Sequence, residues 1–173
     1  MCMQVRAEIV GGTVMNTMTI RRAEEKDIDR LIELLHQVLE LHAEIRSDVF
    51  RSGTTKYTKE ELRPMLSDEQ KPIYVAVDEN NEVIAYAFCQ LREQPFSNTM
   101  VSFKSFFVDD LCVDAKARGG HVGKRVFEFI KREAVRLGCY EVTLNVWSGN
   151  DDAERFYEKM GMKTKERQME LIL

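Results

Sequence analysis

At 173 residues the chain has the length of one domain, and its 44% apolar and 31% charged residues match the make-up of a soluble globular protein. Twenty-five Lys and Arg against 29 Asp and Glu leave a net charge of −4 at pH 7, the wrong balance for a nucleic-acid footprint. No apolar run approaches the roughly 18 residues of a membrane span, and no basic stretch leading into an apolar one marks a signal peptide.

Cys2, Cys89, Cys112 and Cys139 have neither CxxC nor ligand-like spacing, and the only histidines are His36, His42 and His121. Neither a disulfide framework nor a metal site is expected, and the reading is a reduced, cytoplasmic protein. No membrane or nucleic-acid partner is expected. A homodimer is compatible with the sequence but not demanded by it.

Residues 1–17 show no caps and no periodicity, so they are expected to form a loose leader before a single domain over 18–173. Met18 to Arg22 reads as a short strand. Ile28, Leu31, Ile32, Leu35, Val38, Leu39 and His42 then mark one apolar stripe at helical spacing. Ala43 to Tyr57 is polar and aperiodic, a loop long enough to suggest function. Thr58 with Glu61 forms the pattern of a capping box for a second helix, which Pro64 limits.

The period next changes to two. Ile73 to Val77 and Val83 to Leu91 read as a hairpin around Asp78-Glu79-Asn80-Asn81. A longer strand is expected from Met100 to Val113, where Phe103, Phe106 and Phe107 are most simply core. Its alternation breaks at Val108-Asp109-Asp110, which predicts a bulge. A helix from about Val122 to Leu137 stops at Gly138. A strand from Tyr140 to Trp147 follows, then a helix capped by Asn150 with acidic Asp151 and Asp152 in its first turn. Lys163 to Leu173 alternates as a last strand. The fold class is α+β: a mixed, mostly antiparallel sheet flanked by helices, with one parallel pair around the Val122 helix because a strand–helix–strand unit needs a crossover.

Between the long strand and that helix lies Arg118-Gly119-Gly120-His121-Val122-Gly123-Lys124. Glycines here let backbone N–H groups turn toward a ligand, the helix start adds partial positive charge, and Arg118 and Lys124 add full charges. A pyrophosphate suits this arrangement. A Walker A loop does not fit, because Arg118 and Arg125 stand where it needs Gly and Ser or Thr. A Rossmann fingerprint fails at Arg118 as well.

The segment resembles the acetyl-CoA loop of the GNAT superfamily of N-acetyltransferases, Arg/Gln-x-x-Gly-x-Gly/Ala. Residues Asn150 to Met162 are similar to that superfamily's Asn-x-x-Ala-x-x-Phe-Tyr-x-x-x-Gly-Phe signature, and the order of elements agrees from Thr19 onward. There are two departures: His121 replaces the first motif glycine, and Met162 replaces the final Phe.

The resemblance implies a GNAT-like sheet with a β-bulge and splayed strands at the acetyl-CoA site. It implies that acetyl-CoA, as co-substrate, lies with its pantetheine arm along the backbone of Leu111, Cys112 and Val113. Its pyrophosphate would rest on Arg118, Gly119, Gly120, His121, Val122, Gly123 and Lys124. Asn150 and Tyr157 would face the thioester from the other side, with Tyr157 as the acid for the departing thiolate. An acceptor ammonium with pKa about 10.4 also needs a base, because only about one molecule in 10³ is neutral at pH 7. Asp110 and Asp109 at the expected bulge are the candidates, with mutual repulsion raising one pKa. Their run resembles the acid–acid–apolar run of polyamine acetyltransferases. His42, Arg46 and Phe50 are the candidates to line the acceptor site, although His42 also ends the core stripe. The function so implied is transfer of acetyl from acetyl-CoA to a primary amine, on a small molecule or a peptide, by direct attack in a ternary complex and without a metal. The alternative is a non-catalytic acyl-CoA-binding sensor, toward which only His121 points.

Overall fold

In chain order the elements are β1 (Thr19–Arg22), α1 (Ile28–Ile45), α2 (Lys59–Met65), β2 (Ile73–Val77), β3 (Val83–Glu93), β4 (Lys104–Val113), α3 (Val122–Arg136), β5 (Glu141–Leu144) and α4 (Asp151–Lys159). The computed structural model describes residues 18–93 and 97–173, so the expected leader lies outside the described residues. The five strands form one sheet in sequence order. Every neighbouring pair is antiparallel except β4 and β5, which run parallel around α3.

Alternation along β3 divides the core. Tyr86 and Phe88 join Leu31, Leu34, Leu35 and Leu62 under α1 and α2. Ala85, Ala87 and Cys89 face Val126, Ile130 and Ala134 of α3 on the other side. Each fully buried leucine contributes about 1.5–3 kcal/mol, so these faces fix both the register and the helix positions. Cys89 and Cys112 are buried free thiols, one on each face.

The capping box at α2 forms as expected. Thr58 Oγ1 accepts the Glu61 N–H at 3.2 Å, and the Glu61 carboxylate accepts the Thr58 N–H at 2.7 Å. Pro64 lies in the last turn and the helix ends one residue later. Arg30 of α1 bonds the Val83 carbonyl and pairs with the buried Asp114 carboxylate, tying α1 to the end of β4.

Three expected strands differ from the structure. β4 begins at Lys104 rather than Met100 because its ladder with β3 ends at Glu93–Lys104, and Met100 and Val101 are exposed. β5 spans only Glu141–Leu144 because its partner residues on β4 stop at Val108. Lys163 to Leu173 is not a strand: alternation marks an amphipathic pattern but supplies no hydrogen-bonding partner. That segment is instead attached by side chains, Lys165 to Glu141 and Glu170 to Arg46, with Met169, Leu171, Ile172 and Leu173 exposed.

Candidate active site

The break in alternation within β4 is a bulge. Phe88 pairs with Asp110 and Cys89 with Val108, so Asp109 is the extra residue. The parallel ladder to β5 ends at Val108–Leu144, immediately before it. Beyond that point the two strands separate. Leu111, Cys112 and Val113 pair with Ala87, Tyr86 and Ala85 of β3, while their other edge has no strand partner among the described residues. An extended chain placed there would meet unpaired backbone groups.

The glycine loop closes one end of this opening. Gly119 has φ 84° and His121 has φ 58°, so His121 adopts the left-handed conformation that a glycine would take there without strain. It is the cap residue of α3 but makes no side-chain cap. The first helical bond runs from the Arg125 N–H to the His121 carbonyl at 3.0 Å, and the amides of Val122, Gly123 and Lys124 precede that ladder. Arg118 and Lys124 are exposed, and Arg118 Nε donates to the Val113 carbonyl at 3.3 Å. Gly123 has a different task. A Cβ there would lie 3.4 Å from Val113 Cγ2 and 3.5 Å from the Phe156 ring, so this glycine lets α3 pack against β4 and α4. The loop residues therefore fit a diphosphate: positive charge at both ends, helix-start amides between them, and open space beside Gly119.

Asp110 lies at the opening, and its carboxyl is raised to about 6. Burial is the main cause; Lys56 opposes it and Asp109 adds like-charge repulsion. The Tyr86 hydroxyl is near enough to pull that pKa down slightly, yet its geometry falls short of a full hydrogen bond, and it is a buried hydroxyl without a partner. Tyr157 of α4 packs on Phe127 and Phe156 with ring centroids 5.5 and 5.1 Å away. Burial raises its phenol pKa, and the nearby Asp110 and Cys89 raise it further, so the hydroxyl keeps its proton at neutral pH. Asn150 accepts the Ala153 N–H at 3.3 Å and caps α4. A group that keeps its proton and one that readily loses it thus share one electrostatic environment.

On the other side of the bulge, Lys56 Nζ donates to Asp109 Oδ2 at 2.7 Å. Its neighbour Tyr57 stacks on Phe88 at 5.5 Å. Tyr57, Phe88, Cys89, Asp109, Asp68 and Lys71 border a cleft of about 220 Å³. His42 lies against Phe50 at 5.0 Å, and Phe50 meets the Trp147 ring edge-on at 5.1 Å. Burial and the charge of Lys56 lower the His42 pKa, favouring a neutral imidazole. Arg46 is occupied: it pairs with Asp48 and Glu170, both at 2.8 Å, and lies over Trp147. It braces the aromatic wall instead of presenting a free guanidinium. Sequence reasoning missed Lys56, Tyr57, Tyr86 and Trp147. The first two stand in an aperiodic loop, while Tyr86 and Trp147 read as ordinary strand residues.

The Acetyltransferase (GNAT) family model matches residues 35–162. Over 147 residues the chain is 27% identical to a putative phosphinothricin acetyltransferase of Bacillus subtilis, covering 83% of both chains. A 66-residue stretch is 39% identical to glucosamine 6-phosphate N-acetyltransferase of Arabidopsis thaliana, covering 38% of this chain and only 42% of that enzyme. Among solved structures, a mutant of the BH1408 protein of Bacillus halodurans is 33% identical with a TM-score of 0.85, covering 90% of this chain and 99% of that one. The family match takes in most of α1, strands β2 to β5, the glycine loop and α4, so the chain belongs to the acetyltransferase (GNAT) family, and its reaction class is acetyl transfer to an amine.

Proposed function

We propose that the protein transfers the acetyl group of acetyl-CoA to a primary amine of a small molecule or peptide by direct attack in a ternary complex. The observation that carries this reading is the bulge at Asp109. It ends the β4–β5 ladder and sets Asp110, with its pKa near 6, in electrostatic contact with the protonated Tyr157.

The residues divide the work. Leu111 to Val113 offer their free backbone edge to the pantetheine arm, and Arg118 to Lys124 hold the diphosphate. Bound there, acetyl-CoA supplies an activated acyl group. Asp109 and Asp68 attract a protonated amine into the cleft that Tyr57 and Phe88 border. Providing the neutral form of an amine with pKa about 10.4 costs roughly 4–5 kcal/mol at pH 7. As the new N–C bond forms, the nitrogen becomes acidic enough to pass its proton to Asp110. Tyr157, within electrostatic reach of Asp110, protonates the departing sulfur. Asn150 orients α4 beneath it. Relatives are named for glucosamine 6-phosphate, phosphinothricin and peptidyl lysine, all offering amines, which supports an amine acceptor without choosing among these classes. A cytoplasmic location, read from composition, is part of the same proposal.

The test pairs binding with turnover. Acetyl-CoA at 100 times its dissociation constant should add about 2.7 kcal/mol of stability. CoA release should appear with at least one amine from a panel of polyamines, amino acids, amino sugars, aminoglycosides and peptides. A melting temperature unmoved by millimolar acetyl-CoA would overturn the cofactor site. Tight binding with no turnover on any amine would favour the sensor.

A further inference from the structure

The α1–α2 loop carries a residue that the proposed reaction has not used. Lys56 is the only lysine paired with a carboxylate at the bulge among the described residues. Its ammonium lies 2.7 Å from Asp109 Oδ2 and interacts with Asp110 as well. That is the position an acceptor amine would take beside these two acids. The geometry is also held in place. Tyr57 is stacked on Phe88, the β3 residue opposite Asp110, and Thr58 caps α2 one residue later. Lys56 Nζ lies 5.6 Å from the centre of the Tyr57 ring. Its side chain is still 37% exposed, so the ion pair sits at the surface of the bulge and is not sealed in the core.

We propose that Lys56 is an internal acceptor, acetylated by its own active site when no external amine occupies the cleft. This rests on the acetyl-CoA reading above. The ammonium gives one proton to the carboxylates at the bulge and through them to solvent. The Nζ–C bond forms as the C–S bond breaks, and a second proton passes from nitrogen, by way of Tyr157, to the sulfur. The products are acetyl-Lys56, CoA thiol and one released proton. Tethering supplies the rate, since an amine held at the reacting centre needs no bimolecular encounter. The consequence is self-limitation. Acetylation removes the charge that pairs with Asp109 and leaves a bulkier neutral group beside the acids of the bulge. An external amine, by displacing Lys56 from Asp109, protects the enzyme from this fate.

The experiment incubates the full chain with acetyl-CoA and no amine, and follows each lysine by peptide mass spectrometry. Lys59 is the internal control. It stands three residues on, pairs with Asp29, and is 51% exposed. Lys56 should acquire acetyl at least about tenfold faster than Lys59, with a rate constant unchanged when the protein is diluted. Asp109→Asn should bring Lys56 down to the rate of Lys59 while acetyl-CoA still raises the melting temperature. Equal rates at the two lysines, an unmodified Lys56, or a rate that falls on dilution would overturn the internal acceptor, provided acetyl-CoA still raises the melting temperature. Absence of that rise as well would remove the acetyl-CoA reading and this proposal together.

Discussion

Replacing Asp110 by Asn keeps the shape of the carboxyl but removes the charge that burial resists. Its pKa of about 6 stands roughly two units above an ordinary carboxylate, worth about 3 kcal/mol at 1.36 per unit. Partial exposure of the side chain makes about 1–3 kcal/mol the expected range. Between about pH 4 and pH 6 the folded protein retains a proton that the unfolded chain has released. Stability therefore falls as pH rises through that window, and the full cost is present above it. Asp110→Asn should then melt higher than the parent at pH 8, by about 3–9 °C for a chain of this length, and the gap should close near pH 4. Turnover should move the other way, falling by about 10²–10⁴ if the carboxylate accepts the amine proton. In the parent, kcat/KM should drop below about pH 6 as that carboxylate protonates. Thermal melts of both proteins across pH, beside CoA release, decide it. A variant that melts lower than the parent at pH 8, or a gap independent of pH, would refute the burial argument. A variant with full turnover would remove Asp110 from the mechanism.

Tyr157→Phe keeps the ring contacts with Phe127 and Phe156 and removes a hydroxyl that makes no hydrogen bond within the described residues, so the melting temperature should barely change. Turnover near pH 7 should fall roughly 10–100-fold, with the deficit shrinking above about pH 8.5 as the thiolate leaves unprotonated; activity within about twofold of the parent from about pH 6 to 9 would refute the acid role. His121→Gly should relieve about 1–2 kcal/mol of left-handed strain against a flexibility cost of about 0.5–1 kcal/mol, giving a slightly higher melting temperature; a clear fall would show that the His121 side chain holds the loop in some other way.

Much of the fold was legible because burial imposes periods. Ile73–Val77 could be bounded because all five residues are buried between two helical layers, and Asp78 and Asn81 at its end are typical of a turn. The bulge could be located because one extra residue reverses the faces of every residue after it, and the pattern at Val108-Asp109-Asp110 records that reversal. What failed were strands whose pattern had no partner. Met100 to Phe103 has nothing opposite it in the described ladder, and Lys163 to Leu173 has alternation but no edge to join. A single sequence shows which face a residue would take in a strand, but not whether a neighbouring strand is there to receive it.

The site divides along a similar line. The proposed diphosphate and pantetheine side is local: loop, helix start and bulge lie within Val108 to Lys124, and short-range chemistry can be read from short-range sequence. Even there, the three motif positions serve separate physical needs. At Gly119 and His121 the need is positive φ, which histidine can meet at some cost; at Gly123 it is the absence of a Cβ between Val113 and Phe156. A bulky residue at Gly123 would therefore first disturb the packing of α3 on α4, and lost cofactor binding in such a variant would not separate a phosphate contact from a displaced helix. The proposed acceptor side is assembled from distant segments. His42, Phe50 and Trp147 meet across about a hundred residues, and Lys56 reaches Asp109 from a loop without a period. Such contacts follow from how α1 and its loop lie over the opened sheet. On the proposed reading, acceptor choice depends on the parts of the molecule that leave the weakest trace in the sequence, and cofactor use on those that leave the strongest.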